Sequence, residues 1–371
     1  MPLTRHAALG LGAALFVLCA ACGNRGAGAG SSDSVYVGLA VTDAPDPAAY
    51  RRGASLALEV LNAARAPEEL PLALREPPAS ATTSTAIAEA LRDDAEVVGV
   101  VGHARDAATR EATPIYGARR PIVVVSPTAR DEATAAASSW VFRIAPAGVA
   151  IAEGVARFAA DSLAPARAAV IYPNDAAGRG FVRAFSRRYD ESGGAVSERD
   201  PYLAASPSAF EAYAPRLALT GHAVVVTSGS VTDIVALVSQ LDAVGVDAPL
   251  VAAPDPWEAI ERVTDTIGGR IRLAVAFDWQ RPQTGAAAEF VAAYRRRYAG
   301  APDPVAALAY DAAMLIGLAV RETGLDRRAV RDWIARTGRG RSAHVGATGP
   351  LVFDGFGNPV NKPVTIATVA R

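Results

Sequence analysis

The sequence predicts an α/β protein built around two doubly wound, mostly parallel sheets. From residue 35 onward, short apolar strands alternate with longer amphipathic helical stretches, at roughly 25–35 residues per unit. Several of the strands are continuous runs of valine, isoleucine and alanine, which is typical of strands buried on both faces of a parallel sheet. A chain of 371 residues also exceeds what one hydrophobic core usually supports, so two domains or one large α/β unit are expected. The strand candidates are too many for one compact five-stranded sheet, which favours two sheets.

The predicted elements follow one another in a strand-then-helix order. The strand candidates are Val35–Val41, Leu70–Leu74, Val97–Val101, Ile122–Val125, Ala168–Tyr172, Ala223–Thr227, Leu250–Ala253 and Ile271–Phe277. The helix candidates are Tyr50–Ala64, Thr85–Arg92, Ala107–Tyr116, Val149–Asp161, Gly180–Glu191, Ser208–Leu219, Val231–Val244, Ala286–Tyr298, Pro304–Glu322 and Arg327–Thr337. No Pro/Ser-rich linker divides the chain after residue 34, so the halves are expected to exchange chain through crossovers.

The composition excludes several classes of function. The chain is 51% hydrophobic and 20% charged, its net charge is −1, and its basic residues are scattered, so no nucleic-acid partner is expected. Both cysteines, Cys19 and Cys22, lie at the N-terminus, which excludes a disulfide scaffold, a cysteine nucleophile and a cysteine metal site in the folded body. Four histidines and a single lysine, Lys362, leave no metal cluster or P-loop lysine, and no cofactor is predicted.

The N-terminus has the pattern of an export signal. Arg5 and His6 precede an apolar run that is shorter than the ~20 residues a membrane span needs. The run ends in LCAAC, which resembles a bacterial lipobox, although Cys19 stands where leucine is usual. We therefore predict a lipoprotein signal peptide at 1–21, lipidation of Cys22, and a flexible tether at 22–34, with export to the periplasm or cell surface. Ordinary cleavage nearby and an uncleaved anchor are the alternatives.

Six segments carry a resemblance to a known family. They read VYVGLAV at 35–41 with RRGASLALEVLN at 51–62, VGVVGH at 98–103 with PIY at 114–116, VVVSPTA at 123–129 with FR at 142–143, VIYPNDAAGRG at 170–180, ALAYDA at 307–312 and GPLVFDGFGN at 349–358. Together they resemble the type I periplasmic binding proteins, specifically the leucine/isoleucine/valine-binding proteins of ABC transporters. The likeness spans nearly the whole chain after the tether, in order.

The resemblance implies two flavodoxin-like lobes joined by three hinge crossovers, with ligand in the cleft between them. Lobe 1 would take residues 35–145 plus 278–346, and lobe 2 residues 146–277 plus 347–371. The implied function is capture of a small polar ligand, an amino acid or amide-like solute, for the permease of an ABC importer. Hinge closure around the ligand is the associated motion.

The resemblance also points to ligand-binding residues in lobe 1. Asp106 stands where relatives have a serine that meets the ligand's carboxylate, and it would repel that group. Thr128 and Ala129 are kept in the loop after the fourth strand, but Arg130 replaces the usual threonine. Arg130 would either bind an anion bidentately or pair with a neighbouring aspartate. Tyr50 matches the family's tyrosine loosely.

In lobe 2 the resemblance points to Ser230 and Asp255. Ser230 lies in the loop after the sixth predicted strand, where the family's aromatic residue is absent. Asp255 matches the family's acidic position and would face a cationic group, or else it caps the next helix. Because the amino-acid constellation is largely rewritten, a conventional branched-chain ligand is doubtful.

Two further classes of function were weighed against solute capture. A ligand sensor or protein-interaction adaptor on the same scaffold would explain a degenerate pocket. An enzyme is not predicted, because no nucleophile–base pair, metal spacing, GxGxxG motif or phosphate loop stands out.

Overall fold

The first lobe is organised around a parallel sheet of five strands. A computed structural model describes residues 33–163, 167–206, 210–254 and 271–368; Cys22 and Asp255 lie outside these ranges. The strands are β1 (Val35–Ala40), β2 (Leu72–Arg75), β3 (Val97–Gly102), β4 (Val123–Ser126) and β5 (Val141–Arg143), in the spatial order β2-β1-β3-β4-β5. All neighbouring pairs are parallel. The connecting helices are α1 (Pro47–Ala63), α2 (Ser84–Asp93), α3 (Asp106–Tyr116) and α4 (Glu132–Ala136).

The second lobe contains a six-stranded sheet with the same winding. Its strands are β6 (Arg167–Pro173), β7 (Ala195–Tyr202), β8 (Val224–Gly229), β9 (Leu250–Pro254), β10 (Ile271–Val275) and β13 (Thr365–Thr368), in the order β13-β10-β9-β8-β6-β7. Only β13 is antiparallel, and it pairs with β10 at one edge. The described helices of this stretch are α5 (Gly148–Ser162), α6 (Ala176–Glu191), α7 (Tyr213–Thr220) and α8 (Val231–Ala243).

After β10 the chain returns to the first lobe. It forms α9 (Gly285–Tyr298), α10 (Pro304–Thr323), α11 (Arg327–Ala335) and a hairpin of β11 (His344–Gly346) and β12 (Gly349–Leu351). Helix α10 packs on α1 and on the strands of the first sheet. It is long and apolar enough to span a membrane, but most of it is buried in the lobe as a core helix.

The chain therefore crosses between the sheets three times, after β5, after β10 and between β12 and β13. This arrangement confirms the predicted fold class of two doubly wound lobes joined by three crossovers. The exact lobe boundaries stay a prediction.

The order of the strands determines where a ligand site can form. In each sheet, the strand that begins the lobe (β1 or β6) has its next strand along the chain on one side and the third on the other. Such a reversal opens a crevice at the carboxyl ends of the strands. The loops after β3, β4, β6 and β8 start at these ends, so they are the described positions from which side chains reach the crevice.

Candidate functional site

A cavity of about 830 Å³ lies between the two sheets. In the part of the chain that the structure describes, its walls come from the loops and helix starts that follow β3 and β4 in the first lobe, and from those that follow β6 and β8 in the second. The start of α5, in the first crossing, closes one side. This volume is typical of a site for a small molecule.

Asp106 lines the cavity and joins two loops of the first lobe. It is the first residue of α3, and its Oδ1 accepts hydrogen bonds from the backbone N–H groups of Arg130 (2.8 Å) and Asp131 (2.9 Å). The carboxylate therefore occupies two backbone donors of the loop after β4.

The hydroxyls of Tyr50 and Thr128 are bonded to each other inside the first lobe. Thr128 Oγ1 donates to the carbonyl oxygen of Ala104 at 2.7 Å, so it accepts from the Tyr50 hydroxyl at 2.9 Å. Both side chains are buried, and burial raises the pKa of Tyr50 well above its ordinary value. Neither residue is part of the cavity wall in the described structure.

The backbone of Ala129 is fixed by two buried partners. Its N–H donates to Ser126 Oγ (3.2 Å), and its carbonyl oxygen accepts from Arg143 Nη1 (2.9 Å). Arg143 is fully buried, which lowers the pKa of its guanidinium, and its Nε donates to Asn358 Oδ1 at 2.8 Å. A buried cation thus ties the loop after β4 to the third crossing.

Arg130 connects the two lobes. Its guanidinium Nη2 donates to the carbonyl oxygen of Pro254, at the end of β9, at 2.9 Å. Arg130 lines the cavity from the first lobe, whereas Pro254 belongs to the second sheet. This contact spans the cleft directly.

Ser230 lines the cavity but acts locally as a helix cap. Its Oγ accepts the backbone N–H of Asp233 (3.1 Å) and donates to the carboxylate of Asp233 (2.8 Å), in the first turn of α8. Two residues earlier, Ser228 also lines the cavity. Its side chain is only 7% exposed, and its Oγ has no hydrogen-bond partner within the described residues.

Three of the predicted site residues therefore line the cavity, namely Asp106, Arg130 and Ser230. Thr128, Ala129 and Tyr50 lie in the interior of the first lobe. Asp255 follows directly after Pro254 but lies outside the described residues. The ligand-binding roles of all seven stay predictions.

Ser228 was missed by the sequence analysis. The sequence shows that the loop after β8 lacks the family's aromatic residue, and this draws attention away from Ser228. The signal for Ser228 is its position near the end of a fully buried strand, where the cavity edge lies. Within the described ranges, no group of three or more His, Cys, Asp or Glu side chains is placed to hold a metal ion.

Solved structures share this architecture. The branched-chain amino acid transporter substrate binding protein LivJ from Streptococcus pneumoniae, solved with isoleucine, aligns with a TM-score of 0.78 and 20% identity over 91% of this chain and 96% of LivJ. An ABC transporter substrate-binding protein from Desulfitobacterium hafniense, solved with Leu, aligns with a TM-score of 0.76 and 24% identity over 90% of this chain and 96% of that protein. A solute binding protein from R. palustris, solved with benzoate, aligns with a TM-score of 0.71 and 17% identity over 91% of this chain and 96% of that protein.

The sequence comparisons complete this picture. No curated protein sequence matches the chain. The profile of the family described as periplasmic binding protein matches residues 42–371, which begin just after β1 and include all three crossings. The chain therefore belongs to the periplasmic binding protein family.

Proposed function

We propose that this protein captures a small polar solute in the cleft between its lobes and presents it to the permease of an ABC importer. Its family works outside the cytoplasm and consists of binding proteins rather than enzymes. The structural relatives carry isoleucine, Leu and benzoate, all small molecules with a polar head. The cavity of about 830 Å³ is large enough for a solute of that size.

The main support for this proposal is that both lobes contribute residues to the cavity walls. Residues from both lobes face the same space, with Asp106 and Arg130 on one side and Ser228 and Ser230 on the other. A solute held there contacts both lobes at once, so its binding free energy favours the closed arrangement over the open one. A protein-interaction adaptor does not need such a cavity.

A screen for thermal stabilisation tests the proposal. The purified protein is heated with single amino acids, amides, amines and small organic acids, and a bound solute raises the Tm in a saturable way. At ~100-fold excess over its Kd, a ligand adds ~2.7 kcal/mol to the free energy of unfolding. If no solute stabilises the protein and a protein partner binds to it instead, the adaptor function takes the place of solute capture.

The membrane anchor is a separate part of the proposal. We infer that export is followed by cleavage before Cys22 and lipidation of that cysteine, with 22–34 as the tether. The test replaces Cys22 by alanine and, as a matched control, Cys19 by alanine. We expect the Cys22→Ala protein to leave the membrane fraction and the Cys19→Ala protein to stay in it. Equal membrane retention of the two variants would contradict lipidation at Cys22.

The partnership with an ABC importer can be tested separately. Genes for two permeases and two ATPases beside the gene for this chain would support it, and uptake of the bound solute should then require this protein. Uptake that is unchanged when the gene is deleted would favour a sensor.

A further inference from the structure

The described cavity wall carries more negative than positive groups. Its ionisable residues are the five carboxylates and two guanidinium groups of Asp106, Asp131, Glu132, Asp175, Asp233, Arg110 and Arg130. Charges that face a confined cleft act on a ligand more strongly than the same charges in bulk water. An anionic solute therefore meets an unfavourable field when it enters.

Three backbone donors of the first lobe's wall are already occupied by carboxylates. Asp106 Oδ1 accepts the N–H groups of Arg130 and Asp131, at 2.8 and 2.9 Å. Asp131 in turn accepts the N–H of Ala133 at 3.0 Å. A ligand carboxylate would use backbone N–H groups of this kind, and the protein's own carboxylates take these three.

The second lobe repeats this arrangement. Asp175 accepts the N–H of Gly178 at 2.8 Å at the start of α6, and Asp233 accepts the N–H of Ala205 at 3.0 Å. Helix N-termini attract anions, but Asp175 caps α6 and Asp233 lies in the first turn of α8, so both helix starts carry a carboxylate that would repel one.

The two guanidinium groups have partners within the protein. Arg110 forms an ion pair with Asp131 at 3.0 Å, and Arg130 donates to the carbonyl oxygen of Pro254. A ligand carboxylate would have to displace one of these contacts to gain a cationic partner. An uncharged or cationic head group has no such requirement.

Ser228 supplies a group that suits a neutral ligand. Ser228 lines the cavity, and its buried hydroxyl has no hydrogen-bond partner among the described residues. A hydroxyl both donates and accepts, so it pairs with an amide, a hydroxyl or an amine. The exposed carboxylate of Glu132 on the opposite wall would favour a positive charge on the same ligand.

We infer that the cleft selects solutes without a carboxylate, namely small amides, alcohols or amines that are neutral or cationic. This inference rests on the proposed function, because it assumes that the cleft is the solute site. Asp106 is the residue that decides the selection, and Ser228 is the residue that contacts the ligand's polar head.

The test compares matched probes that differ only in the carboxyl group. Leucine and leucinamide share an ammonium and a side chain, isovalerate and isovaleramide lack the ammonium, and benzoate and benzamide replace the side chain by a ring. Calorimetric titration of the purified protein is expected to give at least tenfold tighter binding for an amide than for its acid. Acids that bind as tightly as their amides would overturn the inference while leaving solute capture intact. If none of the six probes binds, solute capture in this cleft fails and the inference fails with it.

Two pairs of variants locate the selection. Asp106→Asn keeps the side chain's shape and removes its charge. The ratio of the acid's Kd to the amide's Kd should therefore fall at least fivefold. Asp326→Asn removes a helix-capping carboxylate outside the cavity and should leave the preference unchanged. An unchanged preference in Asp106→Asn would show that Asp106 does not decide the selection.

The serine pair provides a second measurement that does not depend on Asp106. Ser228→Ala should weaken binding of the preferred amide about five- to tenfold, the range expected for one hydrogen bond. Ser239→Ala removes a hydroxyl that bonds the carbonyl oxygen of Val235 on the exposed face of α8, and it should have no effect. Equal affinities in the two serine variants would overturn the role of Ser228. Circular dichroism melting of each variant confirms that it is folded.

Discussion

The guanidinium of Arg130, in the first lobe, donates a hydrogen bond to the carbonyl oxygen of Pro254, in the second lobe, at 2.9 Å. The two residues lie at the carboxyl ends of their sheets, after β4 and at the end of β9. A contact that spans the cleft stabilises the arrangement in which the lobes approach each other. Arg130 therefore contributes to closure, in addition to any contact with a ligand.

Arg130→Ala should shift the ligand-free protein toward open lobes. A hydrogen bond from a charged group contributes about 1.5–3 kcal/mol, so the closed population should fall roughly tenfold or more. Small-angle X-ray scattering measures the change as a larger radius of gyration. Arg110→Ala is the matched control, because its partner Asp131 lies in the same lobe. If both variants scatter like the wild type, the Arg130–Pro254 contact does not hold the lobes together.

Lys362 lies buried in the third crossing and is held by a short polar chain. Its Nζ donates to Thr348 Oγ1 at 2.8 Å, and that hydroxyl donates to the carboxylate of Asp311 on α10. Burial lowers the pKa of Lys362 to about 8, against the opposing attraction of Asp311. The folded protein therefore releases this proton at a lower pH than the unfolded chain.

The stability of the protein should rise with pH above 8. Between pH 8 and the ordinary lysine pKa of 10.5, the unfolded chain binds more protons at this site than the folded protein, so raising the pH favours folding. From pH 8 to 9.5 the gain is up to about 2 kcal/mol. No other lysine titrates in this window. Urea unfolding of the wild type and of Lys362→Met, at pH 8 and at pH 9.5, measures this gain in the free energy of unfolding. If Lys362→Met gains as much as the wild type, the gain does not come from Lys362.

Gly53 lets α1 and α10 approach closely. A Cβ at this position would overlap the backbone carbonyl of Ala306, which has no freedom to rotate away. Gly53→Ala should therefore lower the free energy of unfolding by about 1–3 kcal/mol, as overpacking does. Gly180 is also inside a helix but has open space around it, so Gly180→Ala should raise stability by ~0.5–1 kcal/mol. Urea unfolding that gives the same sign for both would contradict the packing argument.

The core of each sheet could be predicted from the sequence because burial on both faces leaves a continuous apolar run. Strands β3, β4 and β8 were predicted within two residues of their observed ends for this reason. Strand β7 was missed, because it lies at a sheet edge and carries Glu198, Arg199 and Asp200. Strand β5 and helix α4 are too short to show a period, and β13 pairs only through the tertiary fold.

The candidate site was less predictable than the fold. The family resemblance pointed to Asp106 and Arg130 in the loops after the third and fourth strands, and both line the cavity. The same reasoning could not show that Thr128 bonds to Tyr50, since this pair is 78 residues apart in sequence. It also could not show that Asp106 occupies the neighbouring backbone donors, because that depends on how two loops meet.

If the lobes close around a captured solute, the distance between them must shorten when the solute binds. Residues 23–371 contain no cysteine, so Glu89→Cys on α2 and Ser239→Cys on α8, with Cys19 and Cys22 changed to serine, give one spin label on each lobe. Both positions are exposed and lie outside the cavity wall. Pulsed electron resonance is recorded with leucinamide, leucine, isoleucine and benzoate. We expect leucinamide to shorten the distance in a saturable way. A distance distribution that none of the four compounds changes would contradict closure around a solute.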